Sequence, residues 1–128
     1  MKLRFFALLC LTVLFFGCKK EEGYGGLAAI TGKVYAKDYS SGGNLASEGY
    51  IGDVRVYISK QGETIPFDDV RTSYDGSFKF INLHPGTYSV WVFGDCDYCG
   101  WSQTYEIKDV TVSKRKEVVV VEDFQITI

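Results

Sequence analysis

Histidine occurs once in the 128-residue sequence, methionine once and proline twice. A catalytic zinc centre draws on several His and carboxylate ligands, and His84 is the only imidazole available. It stands beside Pro85, in what reads as a turn. A general base there would still need a nucleophile and an orienting partner within reach. Gly-x-Ser-x-Gly, His-Glu-x-x-His and Gly-rich phosphate-loop patterns are all missing. The chain is therefore expected not to be an enzyme and to use neither cofactor nor resident metal. A basic excess is missing too: 14 Lys and Arg stand against 16 Asp and Glu, a net charge of −2. Nucleic-acid binders cluster positive charge on one face, so no nucleic-acid partner is expected. Two further absences concern structure. No apolar run reaches the roughly 20 residues of a permanent membrane helix, and no 3.6-residue stripe extends beyond two turns. Helix is expected to be minor.

What the sequence does contain is glycine and aromatic residues: 14 Gly, 9 Tyr, 9 Phe and 2 Trp, within a hydrophobic fraction of 46%. That is enough apolar material for one packed core, and the length suits one domain.

The first segment is an address. A basic head (Lys2, Arg4), an apolar run from Phe5 to Phe16 and then Gly17-Cys18 form the pattern of a secretory signal peptide. The junction Leu14-Phe15-Phe16-Gly17-Cys18 resembles the lipobox of bacterial lipoproteins. That resemblance implies cleavage after residue 17 and a lipid on Cys18, the membrane partner of the protein. Two or more acyl chains hold a protein on a bilayer where one does so only marginally. Lys19-Lys20-Glu21-Glu22 is similar to the export signal of outer-membrane lipoproteins displayed on the cell surface; retention on the periplasmic face is the alternative. Removing residues 1–17 takes two basic residues from the fourteen and none of the sixteen acidic ones, leaving a net charge of −4. Residues 18–26, ending in Gly23-Tyr24-Gly25-Gly26, are expected to form a lipidated flexible tether.

Residues 27–128 read as an all-β domain, an antiparallel sandwich of about seven strands. Ile30, Val34 and Ala36 alternate with Thr31, Lys33 and Tyr35; Val54, Val56 and Ile58 with Arg55, Tyr57 and Ser59; Tyr88, Val90 and Val92 with Ser89, Trp91 and Phe93. Phe78 and Phe80 mark another strand, as do Thr64–Thr72 and Tyr105–Val112. A final strand over Val118–Ile128 is expected to bury Val118, Val120, Phe124 and Ile126. Asp75-Gly76 and Pro85-Gly86 supply turns. Residues 39–53, polar and aperiodic, are expected to be the longest loop.

Four segments carry a more specific likeness: Ile30-Thr31-Gly32-Lys33-Val34; Gly52-Asp53-Val54-Arg55-Val56; Gly76-Ser77-Phe78-Lys79-Phe80; and Leu83-His84-Pro85-Gly86-Thr87-Tyr88-Ser89-Val90. Together they resemble the carboxypeptidase regulatory-like domain. The resemblance covers most of residues 28–93, with Ser73 where the family often has Asp. It implies a prealbumin-like (transthyretin-like) sandwich serving as an accessory module of bacterial surface proteins, without peptidase chemistry. The expected role is structural or protein-interacting, the partner being an unknown protein or a glycan.

Two groups of residues could do more. Cys96-Asp97-Tyr98-Cys99 is read first as a structural disulfide in an oxidising compartment, with thiol or metal handling as the alternative. Trp91 falls on the polar parity of its strand, and Tyr98 and Trp101 flank the cysteine pair. An exposed row of these rings would suit stacking on sugars, as in a carbohydrate-binding lipoprotein of a nutrient-uptake system; otherwise they cover one edge of the sandwich.

Two outcomes follow from the cysteines. Cys18→Ser should abolish labelling by a palmitate probe and release the protein from the membrane fraction; persistent labelling would place the lipid elsewhere. Titration of unreduced protein from its native host should find no free thiol at Cys96 and Cys99, whereas two reactive thiols or stoichiometric zinc would favour the metal or thiol role.

Overall fold

A computed structural model describes residues 20–95 and 103–128. Cys18, Cys96, Tyr98, Cys99 and Trp101 lie outside the described residues. Nine strands form within them: β1 (Tyr24–Tyr39), β2 (Leu45–Tyr50), β3 (Arg55–Lys60), β4 (Asp68–Arg71), β5 (Ser77–Leu83), β6 (Gly86–Gly94), β7 (Thr104–Val112), β8 (Val118–Val120) and β9 (Phe124–Thr127). They make two sheets, one of five strands organised around β1 and one of four in the order β4-β3-β6-β7. The all-β sandwich is thus as the periodicity predicts, with nine strands instead of seven.

Strand β1 is the axis of the first sheet. Antiparallel β5 pairs with its first half and antiparallel β2 with its second. Val34 donates its amide to the Gly76 carbonyl and accepts from the Ile51 amide, which puts β5 and β2 on the same edge. Parallel β8 and then parallel β9 occupy the other edge, pairing Ala29–Thr31 and Val34–Lys37. The inward row of β1, Ala28, Ile30, Val34 and Ala36, faces Val56, Ile58, Tyr88, Val90 and Val92 of the second sheet, with Phe78, Phe80 and Phe124 filling the space between. Burying each large apolar side chain contributes about 1.5–3 kcal/mol.

Three expectations about boundaries change. Residues 45–50 are strand β2, not loop; five of its six residues are exposed, so it carries no buried row to betray it. The final strand divides in two. Within β8 it is Val119, with Val121 just beyond it, that packs on the core, while Val118 and Val120 point outward, Val120 being 75% exposed. Four consecutive valines have no alternation from which to choose a face. Third, the domain starts before residue 27.

Tyr24–Gly26 are already part of β1, and the segment ahead of them is strapped to the β5–β6 turn. The His84 amide donates to the Gly23 carbonyl, and the Thr87 amide to Glu22 Oε1. Gly26 lies so close to Leu83 that any Cβ would collide with its carbonyl. Tyr88 locks the strap: its hydroxyl donates to the His84 carbonyl at 2.6 Å and accepts the Gly23 amide at 2.9 Å. Burial pushes this phenol's pKa up, as expected for a ring set in the core with only its oxygen engaged.

Tyr88→Phe keeps the ring and removes the lock. An unpaired buried amide or carbonyl costs about 1–3 kcal/mol, so chemical denaturation should show a loss of that size. An unchanged midpoint would mean that the strap contributes nothing to stability.

Candidate functional site

The outward parity of the second sheet carries the candidate site. Register aligns its side chains in rows across the strands: Tyr57, Trp91 and Ile107 lie side by side, flanked on one side by Phe93 with Tyr105 and on the other by Ser59, Ser89 and Asp109. An aromatic or aliphatic residue therefore occupies the solvent-side position on three neighbouring strands. Tyr57 stacks on Trp91 with ring centres 5.7 Å apart and planes 15° from parallel. Phe93 meets Tyr57 edge-on at 5.6 Å and Tyr105 at 6.3 Å. Aromatic pairs prefer these offset and edge-to-face arrangements, so the cluster is held by its own contacts.

Trp91 is the floor of a shallow cleft of about 270 Å³. Phe93, Tyr105 and Ile107 form one wall, and Gly62, Glu63 and Thr64 from the β3–β4 connection form the other. This volume lies just below the range of small-molecule sites, which begins at about 300 Å³. Trp91 itself is only 8% exposed, whereas Phe93 and Tyr105 are 41% and 65% exposed. Trp91 thus lies on the outward parity of its strand, as the alternation places it, but its neighbours cover most of the ring.

The row beside the cluster is polar and hydrogen-bonded. Ser89 Oγ donates to Asp109 Oδ1 at 2.8 Å and accepts the Gly62 amide at 3.3 Å, while Gln61 Nε2 reaches Asp109 Oδ2 at 3.4 Å. Ser59 Oγ donates to the Glu63 carbonyl at 2.7 Å, fixing the loop that forms the second wall. The cleft thus joins an apolar floor to a rim with fixed hydroxyl and carboxylate groups. At the far end of the sheet, Arg55 and Asp69 form an ion pair at 3.0 Å, both half-exposed; such pairs contribute little stability.

Of the residues assigned to the lipid anchor, the disulfide or ligand contact, only Trp91 falls among those described. Sequence parity identifies Trp91 and Phe93 but misses Tyr57, Tyr105 and Ile107. The available signal was an apolar residue on the outward parity of each strand. What was not available was the register that sets those residues in adjacent rows. His84 lies elsewhere, against Gly25 in the N-terminal strap. Among the described residues, no three His, Cys, Asp or Glu side chains converge to hold a metal.

No family model matches the chain, and no curated protein matches it. A solved structure from Pseudomonas aeruginosa, provisionally described as a carbohydrate binding protein, is similar over 83% of this chain and 91% of that chain, at 15% identity and a TM-score of 0.48. A likeness of that degree carries nothing about ligand or role.

Proposed function

We propose that the protein is a non-catalytic, lipid-anchored binding module of the carboxypeptidase regulatory-like kind, displayed on the outer membrane, and that it holds a glycan in the Trp91 cleft. The observation that carries this reading is the stacked Tyr57–Trp91 pair, walled by exposed Phe93 and Tyr105 and bordered by the Ser89–Asp109 hydrogen bond. A pyranose ring has an apolar C–H face and an equatorial belt of hydroxyls. The aromatic surface offers burial to the first; the exposed carboxylates of Asp109 and Glu63 offer partners to the second. A protein partner would also cover exposed apolar residues, but it has less use for hydroxyl and carboxylate groups held at the edge of a cleft sized for one ring. The anchor at Cys18 and display at the surface are supported by the lipobox-like junction and the charged residues that follow it.

Titration of the mature protein with neutral oligosaccharides, followed by tryptophan fluorescence, tests this. Saturable quenching is expected. Tyr105→Ala, which removes an exposed ring and leaves the core intact, should weaken binding about tenfold, equivalent to about 1.4 kcal/mol. Absence of saturable binding to any oligosaccharide, or unchanged affinity in Tyr105→Ala, would overturn the glycan assignment.

A further inference from the structure

The N-terminal end of β1 carries a second cleft. It has a volume of about 260 Å³, and Lys20, His84 and Arg115 converge on it around the backbone of Gly25 and Gly26. We propose that this end of the domain is a docking site for the anionic headgroups of phospholipids in the membrane that holds the anchor. The proposal rests on the reading that Cys18 is lipidated.

Chain length supplies the first argument. An extended residue spans at most about 3.6 Å, so an acyl group on Cys18 enters the bilayer within roughly 7 Å of the Lys20 backbone. Nothing longer separates the lipid from the strap, and the strap is hydrogen-bonded to the β5–β6 turn through Glu22, Gly23, His84 and Tyr88. Anchoring at residue 18 therefore presents this end of the sandwich to the headgroups.

Charge supplies the second. The β7–β8 turn beside the cleft reads Lys114-Arg115-Lys116, all exposed. Ion pairs among the described residues involve Arg55, Lys60, Arg71 and Lys108, and none involves Lys20 or this turn. The carboxylates nearby keep their charge but have partners of their own. Glu21 pairs with Lys60, Glu22 accepts from the Thr87 amide, and Glu117 turns back to accept from the amides of Ser113 and Lys114. Lys20, Lys114, Arg115 and Lys116 thus gather at the end nearest the anchor, with Glu117 beside Lys114 as the carboxylate of the same turn. Basic side chains at an anionic membrane surface each strengthen attraction roughly fivefold, within a Debye length of about 8–10 Å. Guanidinium and ammonium groups around a cleft also suit a phosphate diester.

The test uses lipidated protein purified from its host and reconstituted into vesicles, one set of phosphatidylcholine alone and one with phosphatidylglycerol added. Amide hydrogen exchange over residues 25–27 and 113–117 should slow roughly fivefold on the anionic vesicles relative to the neutral ones. The difference should vanish in about 1 M salt, where the Debye length falls to about 3 Å, and in the surface variant Lys114→Glu/Arg115→Glu. Exchange in the core strands, unchanged in that variant, reports that it remains folded. Flotation of the protein with both vesicle types but equal exchange on them would overturn the headgroup site while leaving the anchor in place. Failure to float would overturn the anchor, and the proposal with it. Equal protection by inorganic phosphate without vesicles would assign the cleft to a free anion and overturn the membrane assignment.

Discussion

The fold depends on the hydrogen-bonding capacity of a single strand. A β-strand has two edges, and β1 is long enough to use each of them twice: β5 then β2 along one, β8 then β9 along the other. Four short strands that could not form a stable sheet among themselves are thereby fixed in register by one backbone. The alternation along β1 then decides which face of that sheet is buried. Ile30, Val34 and Ala36 turn inward, and Phe78, Phe80 and Phe124 follow from the neighbouring strands. Gly32, on the same parity, leaves room for the Phe78 ring, which a Cβ there would strike.

The second sheet has a different task. Its inner face completes the core with Val56, Ile58, Val90 and Val92, and its outer face would ordinarily be polar. Instead Tyr57, Trp91 and Ile107 stand in one row, with Phe93 and Tyr105 in the next. Apolar side chains on the water side of a sheet stabilise it only where they cover one another. Trp91 is covered; Phe93 and Tyr105 are not. Two exposed rings thus stand on the outer face beside the polar row of Ser59, Ser89 and Asp109.

Alternation made most of the fold legible in the sequence, because a half-buried strand must alternate. Strand β2 was hidden because almost none of it is buried, and the valines of β8 because they do not alternate at all. The N-terminal strap was read as a leash from its glycines. Glycine indeed serves there, but to let Gly26 approach Leu83 closely, a use that composition cannot distinguish from flexibility. The site was legible only one strand at a time. Trp91 stood out on its own strand, yet its partners Tyr57 and Ile107 come from two other strands, and which residues face each other is set by pairing register.

The position of β1 also fixes how the molecule bears load. A pull applied at residue 20 runs along the axis of β1 and acts on its ladders with β5, β2, β8 and β9 in shear. In that geometry hydrogen bonds resist together, whereas a strand peeled from an edge gives them up one at a time. The Tyr88 hydroxyl and the Gly23–His84 bond stand first in line and reinforce the entry point. The strand that organises the sheet is thus also its tensile member.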